Sequence, residues 1–445
     1  MQPDHLETKP VIVPPKAKQA GDNLTRWSWV EPSIWSERML SALEQGVKGG
    51  RWYSLIDKVY SMENLRSAFR KAKANKGAAG ADHVTLEMYE QRLEENLEGL
   101  HMGLKEGSYQ PSAIRRKMIP KPGKREMRPL GIPIVRDRVA QGALRNVMEP
   151  IYERYFAEQS YGFRPGRGCK DALRRVDALL KAGYIHVVDA DLKSYFDTIP
   201  HDKLLARIEE KIADKHILEL VNAFLGQRVL DSMKSWIPES GTPQGAVISP
   251  LLSNIYLNPL DHCMAHQGHE MVRYADDLVI LCQSAESAGK ALELLTEWVG
   301  KAGLNLHPAK TRIVNAVTEG FEFLGYRFWK GLRLVSKKSL GKFKDNVRNK
   351  TKRTRGDSIE TITTDVNRTL RGWFEYFKHC HMYEFRPLDS WIRTRLRSIL
   401  RKHLKLKGIA MGGNAYKRWP VAFFTGHGLF NLQTARMLAW QSVKR

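Results

Sequence analysis

Two apolar runs that end in aspartate constrain this chain more than any other feature. HVVDADL places Asp191 at the close of a strand-like segment, and MVRYADDLVILC, Met271 to Cys282, sets Asp276 and Asp277 between two short apolar strands. Adjacent carboxylates inside an apolar hairpin are costly unless a cation neutralises them, and a divalent metal is the usual solution. Side chains alternate across a regular strand, so both acids can serve one site only where a tight turn relaxes that alternation. A lone Asp-Asp pair is more often an ordinary Asx-type turn. Here a third acid, Asp191, closes a second strand, and two strand ends carrying oxygen ligands predict a seat for two hard cations. Ions roughly 4 Å apart could activate a 3′-hydroxyl and steady a departing pyrophosphate.

The charge distribution predicts a polyanionic partner. Lys and Arg number 72 against 48 Asp and Glu, a net charge of +24. Residues 331–445 carry 26 Lys or Arg and only 7 Asp or Glu, so +19 of that excess is C-terminal and the larger N-terminal part is nearly balanced. In WIRTRLRSILRKHLK, Arg393, Arg397, Arg401 and Lys405 recur at i, i+4, and Ile392, Leu396, Leu400 and Leu404 repeat with the same period. One helix is therefore expected to turn an apolar stripe to the core and a cationic stripe to a phosphate backbone. A merely solvated basic face is the plainer alternative.

Composition narrows the class further. With 445 residues, 42% of them hydrophobic, the chain can bury a real core in two to four domains. Four cysteines, Cys169, Cys263, Cys282 and Cys380, lie far apart with no C-x-x-C pair, which argues against a zinc ribbon or disulfide scaffold and fits reduced thiols in a cytosol. No run approaches eighteen apolar residues, and the polar start has no signal-peptide pattern, so neither membrane insertion nor secretion is expected.

Residues 1 to about 25, rich in proline, read as an extended lead-in. A helical pattern from Ser33 to about Leu104 is broken by the loop NKGAAGAD at Asn75. PKPGKREMRPLGIP, Pro120 to Pro133, is expected to be a stiff basic hairpin or loop. Val139, Ala143, Val147, Ile151 and Tyr155 predict an amphipathic helix, with further helices near His201–Ile212 and Ala288–Gly303.

Tyr274-Ala275-Asp276-Asp277 resembles the Y-x-D-D signature of reverse transcriptases. The surrounding blocks are similar to the bacterial group II intron reverse transcriptase/maturase family: NKGAAGAD, IPKPGKREMRPLGIP at Ile119, SYGFRPGRG at Ser160, DADLKSYFDTIPH at Asp189, GTPQGAVISPLLSNIYL at Gly241, RYADD at Arg273, GLNLHPAKT at Gly303 and FLGYRF at Phe323. The resemblance covers roughly Asn75 to His403. It implies an α+β right-hand polymerase: fingers and palm with an antiparallel sheet over 61–330, preceded by an N-terminal extension over 1–60. An α-helical thumb, often called domain X, is expected over 331–404, and a small basic DNA-binding-like region over 405–445.

By the same resemblance, Asp191 and Asp276 are the principal Mg²⁺ ligands and Asp277 a supporting one. Phe196 falls where an aromatic crowds the sugar 2′ position, with Tyr195 as the alternative. Lys121 and Arg128 match cations that grip the incoming dNTP, and Lys124 or Arg125 could substitute. Gln244 resembles the residue at the nascent base pair, with Gly245 permitting close backbone approach, and Lys310 one that approaches the leaving pyrophosphate. Arg164 is expected at the template or primer, and Arg393, Arg397, Arg401 and Lys405 at nucleic acid, followed by Lys407, Lys417 and Arg418 as candidate phosphate contacts. Trp373, Phe374 and Phe377 are expected to pack between helices.

The implied activity is RNA-directed DNA synthesis with two Mg²⁺ ions and dNTPs in a bacterial cytosol. The implied partners are group II intron RNA, an RNA template with a DNA primer, and a DNA target, with roles in splicing and retrohoming. The chain ends without the paired cysteines of an HNH-type endonuclease, so target cleavage is not expected of it and priming needs another 3′-hydroxyl. Two alternatives share these residues: a splicing cofactor with an idle polymerase centre, and a domesticated enzyme of repair or phage defence.

Overall fold

The run LVILC offers water nothing to bond, and it forms an inner strand with every side chain buried. In the computed structural model, which describes residues 26–120, 127–232, 234–406 and 412–443, the strands follow in chain order. They are β1 (Ile114–Pro120), β2 (Met127–Ile132), β3 (His186–Asp191), β4 (Val229–Asp231), β5 (Lys234–Trp236), β6 (Glu270–Tyr274), β7 (Asp277–Cys282), β8 (Arg312–Asn315), β9 (Phe321–Phe323), β10 (Tyr326–Trp329) and β11 (Leu332–Val335). The described chain divides into two compact units, with the division along the chain between Ile313 and Val314.

The first unit holds two sheets. One has the order β2-β1-β4-β5, and its β1/β2 pair is the expected basic hairpin, although the tip residues Lys121, Lys124 and Arg125 lie outside the described residues. The other has the order β6-β7-β3-β8, with antiparallel β6/β7 and β3/β7 pairs, the antiparallel sheet that the resemblance leads one to expect. The helix expected around Val139 runs over Val135–Glu153, and it buries Asp137, Arg138, Gln141 and Glu149 as well as its apolar residues. It is a central helix rather than an amphipathic surface one. Residues 26–60 also belong to this core: Trp27, Trp35 and Trp52 are buried, and the Trp35 indole donates to the Asn146 carbonyl at 3.0 Å.

The second unit opens with the meander β9–β10–β11, and the boundary expected at 330/331 falls between β10 and β11. The meander packs with its own helices, because the Tyr376 hydroxyl donates to the Leu324 carbonyl at 2.8 Å and Tyr326 in turn to the Tyr376 carbonyl at 2.5 Å. Helices Lys337–Lys350, Ile359–Phe377 and Phe385–His403 follow. Trp373 stacks on Phe343 at 4.3 Å and lies 4.9 Å from Phe377, the helix packing expected of those aromatics. The terminal helix Leu432–Val443 is docked on the same bundle, since the Asp389 carboxylate accepts from Leu432 N and Gln433 N at 3.0 and 2.9 Å. Among the described residues no helix is long and apolar enough to cross a membrane.

Candidate active site

Pairing across the palm sheet brings the separated acids together. Asp191, last residue of β3, stands directly opposite Asp277, first residue of β7, and Asp276 precedes Asp277 in the β6–β7 turn. That turn is only two residues long, and Ala275 takes it with φ 59, in the left-handed region that a residue with a Cβ seldom adopts. Its neighbours over-determine it. A Cβ on Gly162 would sit 2.4 Å from Ala275 N, so only glycine lets the 160–163 loop pass beneath the turn. Arg273, fully buried, donates to Ala275 O at 2.9 Å, to Asn254 at 3.0 Å and to Ser160 at 2.8 Å, and donates two parallel hydrogen bonds to the Asp261 carboxylate.

The electrostatics follow from this placement. Burial pushes the Asp276 carboxyl above the usual carboxylate range, and the negative charge of Asp191 adds to the effect; Arg273 and Lys310 act the other way. Lys310 Nζ reaches Asp191 Oδ2 at 2.6 Å. Asp189, two residues earlier on β3, has its own partner in Arg312 at 3.7 Å. A cation is what two facing carboxylates call for, and an all-oxygen donor set suits a hard one. Among the described residues no three acidic, His or Cys side chains converge on one point. Asp191 and Asp276 thus offer part of a shell, which fits Mg²⁺, an ion that retains waters and takes substrate phosphate oxygens rather than a protein cage.

A cavity of about 500 Å³ is lined in part by Phe196, Asp197, Gln244, Gly131, Arg116 and Trp236. Gln244 donates to both carboxylate oxygens of Asp197 at 3.1 Å, and burial raises the Asp197 carboxyl while that bond lowers it. The PQG segment sits against β2: Gly131 N donates to Gln244 O at 2.6 Å, and a Cβ on Gly245 would fall 2.4 Å from Gly131 O. Arg128 is exposed on the same strand, opposite Ile119. Tyr195 is separated from Phe196 by its surroundings. The Tyr195 ring is 2% exposed and its hydroxyl donates to Ser253 O at 2.7 Å, whereas Phe196 is half-buried and faces the cavity.

Two expected nucleic-acid contacts are corrected by burial. Arg164 forks onto Glu153 and donates to the carbonyls of Ala157 and Ser160, so its guanidinium holds the loop and has no face for a strand. Arg397, 3% exposed, donates twice to Trp419 O and lies over the rings of Tyr416 and Phe424. The predicted cationic stripe is therefore interrupted. Arg393 and Arg401 are half-buried, and Lys405 is exposed just past the helix end. Leu404, predicted to face the core, is 49% exposed, and the buried row runs through Phe385, Leu388, Ile392, Leu396 and Ile399. Lys417 and Arg418 are exposed, while Lys121 and Lys407 lie outside the described residues.

Sequence reasoning overlooked Arg273, Asp261 and Asp197. An arginine inside the otherwise apolar MVRY was the available signal, since a charge there requires a buried counter-charge.

Comparison with known proteins identifies the family. Residues 119–328 match the family described as reverse transcriptase (RNA-dependent DNA polymerase), and residues 340–419 the group II intron maturase-specific domain. Protein YkfC of Escherichia coli (strain K12) is 33% identical over 345 residues, covering 68% of this chain and 86% of YkfC. The group II intron-encoded protein LtrA of Lactococcus lactis subsp. cremoris is 38% identical over 194 residues, 44% of this chain and 32% of LtrA. The chain thus spans most of YkfC and about a third of LtrA. A chain of a partial Cas6-RT-Cas1–Cas2 complex covers 56% of this chain and 42% of its own length at 21% identity, with a TM-score of 0.36. The chain belongs to the group II intron reverse transcriptase/maturase family, whose enzymatic core is an RNA-directed DNA polymerase.

Proposed function

We propose that this protein binds group II intron RNA, assists its splicing and copies it into cDNA during retrohoming, by nucleotidyl transfer at Asp191 and Asp276. The observation that carries the reading is the β3/β7 register, which sets Asp191 against the Asp276-Asp277 turn. A pair of Mg²⁺ ions, when bound, supplies activation of the primer 3′-hydroxyl and charge stabilisation for pyrophosphate. Asp191 and Asp276 would hold them, with Asp277 in support at the start of β7. Lys310, now on Asp191, is within reach of the same region and offers its charge to the departing phosphates. Arg128 and Lys121 draw in the triphosphate of the dNTP, Phe196 limits the sugar, and Gln244, oriented by Asp197, meets the nascent base pair. Arg393, Arg401 and Lys405 contribute to the grip on template, intron RNA and DNA target.

Asp276→Asn tests the reading by primer extension on an RNA template. Extension is expected to vanish while intron RNA binding, measured by filter retention, stays within about twofold. Extension at the native rate in that variant would overturn it.

A further inference from the structure

Phe163 is held in a costly way that folding does not explain. Its φ is +57, in the left-handed region, and its side chain is 48% exposed. The loop around it is fixed by other groups. Tyr161 N donates to Arg273 O and Arg273 N to Gln159 O, both at 2.9 Å, Asn254 donates to Gly162 O at 2.8 Å, and Arg164 clamps the next residue to Glu153. None of these bonds uses the Phe163 ring. For the fold alone, glycine would serve this position better.

What the ring does have is a neighbour in the active site. Its centroid lies 6.2 Å from that of Tyr274, at an interplanar angle of 43°, and Tyr274 immediately precedes the Ala275-Asp276 turn. Tyr274 closes β6 and pairs with Asp277 across the β6/β7 ladder, which fixes its backbone. The chemistry of this spot is restrictive. Asp276 and Asp277 repel phosphate, so a nucleic-acid strand beside them is best held through its sugars and bases, and aromatic rings provide that contact without regard to sequence.

We propose that Phe163 and Tyr274 together form an apolar step that carries the end of the nascent template–primer duplex beside Asp276, with Phe163 the duplex-contacting residue. The assignment rests on the polymerase reading above. It differs from the grip of the basic residues in one measurable way: the contact releases no counterions, so its loss leaves the salt dependence of binding unchanged.

The test compares Phe163→Ala, Phe163→Gly and Phe163→Trp in steady-state primer extension on an RNA–DNA template–primer. The glycine variant keeps the left-handed backbone accessible and is expected to melt at or above the native temperature. Both small variants should raise KM for the duplex roughly tenfold, leave KM for dNTP unchanged and preserve the salt slope; Phe163→Trp should restore duplex KM. An unchanged duplex KM in the folded glycine variant would overturn the proposal, as would a shift confined to dNTP KM. Failure of the polymerase reading shows separately, as extension that survives Asp276→Asn.

Discussion

Lys310 Nζ donates to Asp191 Oδ2 at 2.6 Å, joining residues 119 positions apart. Both side chains are about half exposed, so the pair is held loosely and can exchange partners. The ammonium pairs with a carboxylate oxygen that a bound cation would also require. Lys310→Met should therefore lower the Mg²⁺ concentration for half-maximal primer extension, because one competitor is gone. The maximal rate should fall roughly a hundredfold for want of a cation at the departing phosphates. A Mg²⁺ titration separates the two, and a raised Mg²⁺ requirement would count against the assignment.

Asp276 gives a pH prediction whose sign is fixed by its environment. Burial and the charge of Asp191 raise its proton affinity in the folded state, so the native protein binds more protons than the unfolded chain between the two carboxyl pKa values. Stability from this group is present at low pH and is lost as pH rises through that window. Asp276→Asn should accordingly raise Tm at neutral pH in chelator, with the difference shrinking in acid, while extension is abolished. A Tm unchanged at neutral pH would show that the carboxylate is not under this strain.

Much of the site was legible because apolar runs that end in aspartate leave few alternatives. Asp191, Asp276 and Asp277 follow from strand period and the cost of burying charge. Arg164 and Arg397 were misread for a corresponding reason. Sequence displays a positive charge but not the carbonyl or carboxylate that will claim it, and Arg397 finds its partner 22 positions away at Trp419 O. Tyr195 and Phe196 share a four-residue helical turn, too short for any periodicity to say which ring turns inward. The boundary expected at 330/331 cuts the β9–β11 meander between β10 and β11, because a partner that ties it together, Tyr376, comes some fifty residues later.

The two aromatics can be separated by sugar selection. Phe196 lines the cavity next to Gln244, while the Tyr195 hydroxyl is committed to Ser253 O. Phe196→Ala should increase ribonucleotide incorporation on an RNA template by roughly tenfold or more, since the barrier to a 2′-hydroxyl is removed. Tyr195→Phe should leave that ratio unchanged and cost about 1 kcal/mol of stability, the usual worth of one lost hydrogen bond. The reverse pattern would move the gate to Tyr195.

Arg273 is expected to be the most sensitive position of the palm. Neither it nor Asp261 has any exposure, and every guanidinium N–H has an acceptor. Removing one partner strands a buried charge, at a cost of about 3–5 kcal/mol. Arg273→Met and Asp261→Asn should each lower the denaturation midpoint by that order, and the double variant should recover part of it. Arg273→Lys should not rescue, because an ammonium cannot serve the four separate acceptor groups at once. Additive losses in the double variant would mean that the pair is not the stabilising unit.

The basic helix Phe385–His403 yields a prediction that divides charge used for folding from charge used for binding. Arg397 is enclosed by Tyr416, Phe424 and the Trp419 carbonyl, so Arg397→Ala should lower Tm yet leave the salt slope of RNA binding as it was. Lys402 and Lys405 are exposed at the end of the same helix. If they meet phosphates, the double variant Lys402→Gln, Lys405→Gln should keep its Tm and reduce the slope of log K against log salt by roughly one for each lost contact. Titrating intron RNA at several salt concentrations reads both numbers from one experiment. A slope that falls with Arg397→Ala and not with the lysine pair would place the phosphate grip on the buried side of the helix, which the packing of Arg397 does not allow without local unfolding.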